Sequence, residues 1–334
     1  MGGGDLSPPI HFLIYMDLSI IIAYHNEGFP FIKETVDQIN RTIDVSDYEI
    51  IIIDDFSDEP LRAVPGAIVI RHESNNGVGA AFDTGVQVAK SENIIIMGSD
   101  IRFIPNQWAS KMLEEIKNFP QALTCTSCVV LTDEETNIQK QIDAKQYRGG
   151  ATLDVITDKK IYPDKPNNWR SILDARWFFY LPITEEESYE VPCLLGALYG
   201  VNKQWYQYID GWNKHKKWST LEPFISIKSW MFGGSCRVAP HIKTGHIFKK
   251  KNAHPHKTGG NIITYNKTVL ALLMCPDPYS LLDYYAELYP GVKTQAKNIE
   301  ETDWYHPLLK KYQSMIKLPF NEYINKFNLN TLST

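Results

Sequence analysis

Leu18 to Ala23 (LSIIIA) is an unbroken apolar run that ends in polar residues, Tyr24, His25, Asn26 and Glu27. The arrangement recurs. Glu49 to Ile53 (EIIII) gives way to Asp54, Asp55, Phe56, Ser57 and Asp58, and Asn93 to Met97 (NIIIM) gives way to Gly98, Ser99 and Asp100. Short runs rich in Ile, without polar alternation, predict strands buried on both faces. Between the first two runs, Phe31, Ile32, Val36, Ile39 and Ile43 recur at helical spacing and predict a helix over 29–43. A strand over 67–70 leads through Asn75-Asn76-Gly77-Val78-Gly79 to a helix over 79–90. The strand over 93–97 leads to a helix over 106–118, and a strand over 122–131 closes this half. Such alternation predicts an α/β fold with a mixed, mostly parallel central sheet and helices on both faces. In open α/β sheets, ligands sit outside the carboxyl ends of the strands. Three strand ends rich in Asp, Glu, Asn and His therefore predict one polar site, and an enzyme.

Residues 133–190 break the alternation. They carry Pro163, Pro166 and Pro182 together with Trp169, Trp177, Phe178, Phe179 and Tyr180. This predicts a loop-rich insertion whose aromatic residues close over the site. Order resumes with a strand over 193–201, helices over 203–209 and 221–232, and strands over 236–239 and 244–248. The tail from 260 reads as helical, with helices over 265–273 and 279–288.

The chain's 334 residues suffice for one large domain or two smaller ones. A net charge of −5 argues against a surface built as a whole for polyanions. Lys249-Lys250-Lys251, with His254, His256 and Lys257, reads as a local basic patch or as a solvated loop. Cys125 and Cys128 have CxxC spacing, but no second pair follows among the five Cys, which argues against a zinc framework and for a reducing compartment. No apolar run reaches the ~18 residues of a transmembrane segment. Residues 1–15 lack the basic start of a signal peptide and read as a disordered leader, so a cytoplasmic protein is expected.

LSIIIAYHNEG, EIIIIDDFSDE, a Gly-bearing helix start and NIIIMGSD stand in the order found in nucleotide-sugar glycosyltransferases of the GT-A type, family two. The chain resembles that family over residues 17–275. Three later segments resemble the polypeptide N-acetylgalactosaminyltransferases: GALYGVNKQWYQYIDGW (196–212), WSTLEPFISIKSWMFGGSCRVAPH (218–241) and TGHIFKK (244–250). The resemblance assigns no nameable segment to residues 133–190. The resemblance implies a GT-A (Rossmann-like) fold. It divides the chain into a leader (1–15), a nucleotide-sugar-binding half (16–132), the insertion (133–190), an acceptor and metal half (191–275) and a helical tail (276–334). It also implies transfer of a hexosyl or N-acetylhexosaminyl group from a UDP-sugar to an acceptor hydroxyl, with Mn2+ or Mg2+ as cofactor.

By the same resemblance, His25, Asn26 and Glu27 line the nucleotide pocket, and Asp54 or Asp55 bonds the base or ribose. Turn formation with Ser57 and Asp58 is the other role open to that pair. Gly77 would let backbone N–H groups approach phosphate, unless it merely starts a helix. Arg71 could add positive charge near the diphosphate. The family's acidic motif has two metal-site positions, and Gly98-Ser99-Asp100 keeps only the last acid. Asp100 and His246 are the implied metal ligands, with Ser99 counted among the nucleotide-binding residues. Asp100 and Glu222 are the catalytic candidates. Glu222 takes the place of a general base in inverting members or of a sugar-positioning acid in retaining ones, where Ser219 and Thr220 replace two glycines. It could equally be a first-turn acid favoured by the helix dipole. The acceptor is open between a hydroxylated DNA base, a protein Ser or Thr, and a glycan. Two rival readings are a nucleotide-sugar-binding protein without turnover and a nucleotidyltransferase. YHNEG after the first strand disfavours the second rival, which would carry a Gly-rich basic loop there.

Overall fold

The computed structural model describes residues 16–177, 184–196, 198–248 and 260–330. The first half runs β1 (Leu18–Tyr24), α1 (Phe29–Thr42), β2 (Tyr48–Asp54), β3 (Ile68–Arg71), α2 (Val78–Val88), β4 (Asn93–Gly98), β5 (Ile101–Arg102), α3 (Trp108–Asn118) and β6 (Ala122–Leu131). The middle contributes α4 (Ile138–Asp143), β7 (Tyr147–Arg148), β8 (Ala151–Asp158), β9 (Arg170–Trp177) and β10 (Tyr189–Glu190). Then come β11 (Leu198–Asn202), α5 (Lys203–Tyr208), α6 (Leu221–Met231) and β12 (Ser235–Ile247). Five helices follow: α7 (Gly260–Met274), α8 (Pro278–Ala286), α9 (Val292–Glu300), α10 (Tyr305–Met315) and α11 (Phe320–Phe327).

The main sheet has ten strands, with the path β10-β12-β6-β11-β4-β1-β2-β3 and with β5 and β7 paired at its side. β1 runs parallel to β2 and β4, and β2 parallel to β3. β11 lies antiparallel between β4 and β6, and β12 is parallel to β6. One antiparallel strand thus separates two sets that point the same way. The carboxyl ends of β3, β2, β1, β4, β6 and β12 all reach one edge, where β11 begins.

The Ile runs explain the layers. Successive strand residues face opposite sides. Ile21, Ile51, Ile53, Ile94 and Ile96 enter one core with Phe82 and Val86 of α2, Phe224 of α6 and Val269 of α7. Ile20, Ile22, Ile50, Ile52, Ile95 and Met97 enter the other, with Ile32, Val36 and Ile39 of α1 and Trp108 and Met112 of α3. Each such side chain contributes about 1.5–3 kcal/mol by leaving water, so a strand with both faces covered tolerates no polar alternation. Gly85 lets α2 sit directly on β1, since a Cβ there would lie 2.2 Å from Ile21.

Two expectations change. Residues 133–190 are more ordered than a loop-rich insertion: β8 and β9 form an antiparallel hairpin, and β7 and β10 add to the main sheet. The hairpin is anchored by Lys267 of α7, which is buried and donates to Ser171 Oγ at 2.7 Å and to the Ile172 carbonyl at 2.6 Å. Pro163 and Pro166, read as breakers of the whole segment, lie only in its turn. Trp169 packs edge-on against Tyr162 at 5.1 Å at that turn. Eight strand residues separate it from Trp177, about 25 Å, so it does not share a site with Trp177. Second, the strands predicted over 236–239 and 244–248 are one strand, β12, whose register shifts between Ala239 and Lys243, around Pro240. Residues 1–15, Phe178 to Tyr180 and the basic 249–257 segment lie outside the described residues. Among the described residues no helix is long and apolar enough to cross a membrane.

Candidate active site at the carboxyl edge of the sheet

Two groups of predicted residues gather at this edge. The first occupies the ends of β1, β2 and β3. Asp54 ends β2 with its side chain fully buried. Its oxygens accept from the Ser57 N–H at 2.9 Å, the Leu61 N–H at 3.0 Å and the Arg71 guanidinium. Burial alone would raise its pKa, but these donors outweigh burial and hold it below the usual carboxylate value. Asp55 is bound the same way, accepting from the Asn76 N–H at 2.8 Å, the Gly77 N–H at 2.6 Å and His72 Nδ1 at 2.8 Å. Its pKa is likewise lowered, with burial opposed by His72, Asn76 and Gly77. Asp54 therefore has no open face. Arg71 points at Asp54 and the Ser57 carbonyl. Asp55 instead lines a small recess with Ala23, Tyr24, His25 and Val78.

The turn after β1 closes over that recess. His25 Nδ1 lies 3.0 Å from the Asp55 carbonyl, and Asn75 Nδ2 approaches the same ring at 3.2 Å. Asn26 adopts a left-handed φ of 65°, which Asn tolerates. It clasps the next turn through Ser57 Oγ at 3.0 Å and the Asp58 N–H at 2.8 Å. Glu27 turns back to accept from the His25 N–H at 2.6 Å. A shallow groove beside this turn is lined by Asn26, Phe29, Asp58, Leu61 and Arg62. Gly77 has φ 99°, and a Cβ on it would lie 2.3 Å from the Lys217 backbone, so only glycine fits.

The second group lies at the ends of β4 and β12 and at the start of α6. Ser99 is buried, and its carbonyl accepts from Thr35 Oγ1 at 2.5 Å. Arg102 is buried behind this turn and donates to Thr35 Oγ1 at 2.8 Å. Ser99 thus shapes the turn through its backbone, and Asp100 is the side chain presented. Asp100 Oδ2 faces His246 Nε2 at 3.4 Å, across the pairing of β5 with β12. His246 Nδ1 is buried with no well-formed hydrogen bond, and the Cys128 side chain also acts on the ring. Burial opposes the imidazolium, but the Asp100 carboxylate prevails and raises His246 to about 10. The missing first acid has a steric counterpart: a Cβ at Gly98 would lie 2.6 Å from Asp100 Oδ1, so the carboxylate folds into the space glycine leaves.

Glu222 stands in the first turn of α6. Tyr199 OH donates to its Oε1 at 3.2 Å. Gly196 makes room for it, since a Cβ there would lie 2.3 Å from Oε1 and 2.7 Å from the Trp177 ring. Burial raises the Glu222 pKa against the opposing effects of its own N–H, Tyr199 and His246. Trp177 and Phe248 border His246, with ring centroids 6.2 Å and 4.2 Å away. The Arg148 guanidinium lies over both of those rings, at 5.5 Å and 5.4 Å. Trp230 is buried and donates to the Val191 carbonyl, beneath this region rather than in it.

A short strained segment links the groups. Lys217 bridges to Gly77 and donates to Asn75 Oδ1 at 2.6 Å. It is followed by Trp218, Ser219 and Thr220, and Ser219 and Thr220 take φ values of 118° and 56°. Non-glycine residues there cost of order 1–3 kcal/mol each and need support. Asn266 of α7 supplies it: its side chain exchanges hydrogen bonds with the Lys216 backbone at 2.9 and 2.8 Å and donates to the Ser219 carbonyl at 3.2 Å. His215, desolvated to a pKa of about 4, lies 2.6 Å from the same carbonyl. Sequence reasoning missed Lys217, Asn266, Tyr199 and Arg148. None lies in a strand-end motif, and Asn266 reads as one of several polar positions in the first half of α7.

A carboxylate and an imidazole facing each other at strand ends are a donor pair for a divalent cation such as manganese, once the imidazolium gives up its proton. Among the described residues no group of three metal-binding side chains gathers.

Residues 19–174 match the family described as glycosyl transferase family 2. Beyond that match, the chain is similar to the polypeptide N-acetylgalactosaminyltransferases. It is 26% identical over 258 residues to polypeptide N-acetylgalactosaminyltransferase 14 of Homo sapiens, covering 75% of this chain and 44% of that protein. It is 25% identical over 274 residues to polypeptide N-acetylgalactosaminyltransferase 5 of Caenorhabditis elegans, covering 78% and 41%. The chain thus spans less than half the length of these curated relatives. The crystal structure of GalNAc-T7 with UDP, GalNAc and Mn2+ superposes with a TM-score of 0.67 at 19% identity, over 93% of this chain and 57% of that one. The chain therefore has the GT-A fold, and the structural match reaches well past residue 174 into the second half.

Proposed function

We propose that this chain is a metal-dependent glycosyltransferase that moves a hexosyl or N-acetylhexosaminyl group from a UDP-sugar to a protein Ser or Thr hydroxyl. The observation that carries the reading is the Asp100–His246 pair, 3.4 Å apart at the carboxyl edge, with Glu222 close enough to His246 for their charges to interact. The names of the relatives support the donor class and the protein acceptor.

In this reading Asp100 and His246 hold the divalent cation. When bound there, the cation neutralises charge on the departing diphosphate. His25, Asn26, Glu27 and the Asp55 recess receive the nucleoside. Asp54 and Arg71 act behind them, fixing the turn rather than touching the base. Gly77 opens the start of α2 to the phosphates, and Lys217 keeps that start in place. The acceptor hydroxyl attacks the anomeric carbon as its bond to the diphosphate breaks. Glu222, with a pKa raised by burial and oriented by Tyr199, is suited to hold or move a proton. Trp177, Phe248 and Arg148 wall the region next to His246 and exclude water from it.

The test is UDP release from a panel of UDP-sugars, with Mn2+ or with chelator, for the wild type and Asp100→Ala. The expected result is metal-dependent release from one sugar, lost in the variant. Release that ignores both chelator and variant would overturn the reading. So would failure to bind UDP in the presence of Mn2+.

A further inference from the structure

A wide recess lies at the opposite edge of the sheet. It encloses about 780 Å3 where β6 and β12 begin and β11 ends. β12 runs from Ser235 here to His246 at the other edge, about 30 Å along the strand. The recess is therefore separate from the site already described.

Its walls have a distinct chemistry. α5 projects Gln204 and Tyr208 into it, one helical turn apart and both exposed. The Tyr208 ring stacks on Trp205 at 5.3 Å and 25°, so its position is set before any ligand arrives. Gly233 and Gly234 form a bare floor. A Cβ at Gly234 would lie 2.2 Å from the Gln121 carbonyl and 2.3 Å from Trp205, so glycine lets the backbone pack directly against both. Asn118, Gln121 and Gln204 supply amides along the rim. Among the lining residues Lys317 brings one positive charge, 5.6 Å over the Tyr208 ring. Glu190 brings one negative charge and is paired with Lys326 at 2.8 Å.

Each ligand class would ask for something different. A phosphate or polyanion calls for several converging cations, and one lysine is offered. An apolar ligand calls for predominantly apolar walls. A sugar presents an apolar C–H face that an aromatic ring can cover, and hydroxyls that donate and accept as amides do. We propose that this recess binds a neutral glycan, with its C–H face on Tyr208 and its hydroxyls on Gln204 and Gln121. The site would act as a second point of attachment for a glycan-bearing partner. The proposal does not depend on the transferase reading.

The experiment is saturation-transfer NMR on the full chain with chitotriose, maltotriose and mannotriose, in the presence of UDP and Mn2+ to occupy the carboxyl edge. At least one trisaccharide is expected to bind. Tyr208→Ala and Gln204→Leu each replace an exposed side chain, and each should weaken that binding about tenfold while the melting temperature stays unchanged. Asp100→Ala should leave it unaltered. Absence of binding by all three probes would overturn the proposal. So would binding that survives both recess variants or that is lost in Asp100→Ala.

Discussion

Asp54 and Glu222 stand at the same edge of one sheet, yet their surroundings drive them in opposite directions. Around Asp54 and Asp55, backbone N–H groups, Arg71 and His72 occupy the carboxylate oxygens and keep both groups ionised. Around Glu222, burial dominates and one tyrosine hydroxyl is the side-chain donor. His246 has one nitrogen facing Asp100 and the other with no well-formed hydrogen bond. The first region is self-satisfied: its charges build the turns that shape a pocket. The second holds its charged groups in buried surroundings with few donors, which is the setting proposed for the cation and the reacting proton. Acidic residues at strand ends therefore carry two separate duties, and hydrogen-bond counts distinguish them.

The comparison can be broken or sharpened by substitution. The largest effect is expected at the second region. Asp100→Ala and His246→Ala should each lower kcat by about 1,000-fold or more, since each removes half of the proposed cation-binding pair, with melting temperatures close to wild type. Glu222→Gln should lower kcat by about 100- to 10,000-fold. It should also melt no lower than wild type at neutral pH, because Gln keeps the Tyr199 bond without a buried charge. The sign follows from the raised pKa. Unfolded Glu222 releases its proton near about 4.3, and the folded protein holds it to higher pH, so wild-type stability falls with rising pH across that interval. The stability advantage of Glu222→Gln should grow over the same interval. A Glu222→Gln variant that is destabilised, with the activity loss tracking unfolding, would erase the contrast with Asp54.

Asp54→Asn should behave the other way. It should cost about 3 kcal/mol of stability, since it leaves Arg71 and two N–H groups poorly matched, and activity well below the melting temperature should fall far less than in Asp100→Ala. Denaturant melts with parallel rates would show this. Acid should reproduce it. The lowered pKa values of Asp54 and Asp55 mean that their stabilisation is complete above the unfolded value of about 3.9 and is lost as pH falls through the folded values. The smallest effect is expected at Gly98. Gly98→Ala would displace the Asp100 carboxylate and weaken Mn2+ binding by about tenfold, measured by titration. Unchanged affinity would show that the space next to Gly98 does not govern Asp100.

Much of this was legible in the sequence because the signals are local. The Ile runs declare strands covered on both faces, and the β1, β2 and β4 boundaries follow from them. The convergence of strand ends follows from the alternation alone. Resemblance then picked out Asp100 and His246 as partners, and the structure places them together. What stayed hidden is non-local. Lys217 and Asn75 are 142 positions apart and meet only after folding. Lys267 and Asn266 sit in the polar first half of α7, where a sequence gives no sign that each anchors a distant segment. The β8–β9 hairpin was obscured by prolines that belong to its turn. The division of labour between Asp54, Asp55 and Asp100 could not be read from spacing, because it depends on which backbone N–H groups each carboxylate meets.

The central claim is that the cation belongs to Asp100 and His246 and not to the acidic pair at β2. Mn2+ binding in the presence of UDP, followed by electron paramagnetic resonance on wild type, Asp100→Ala and Asp54→Asn, tests it directly. Binding should be lost in Asp100→Ala and retained in Asp54→Asn at a temperature where both are folded. Retention in Asp100→Ala with loss in Asp54→Asn would contradict the account.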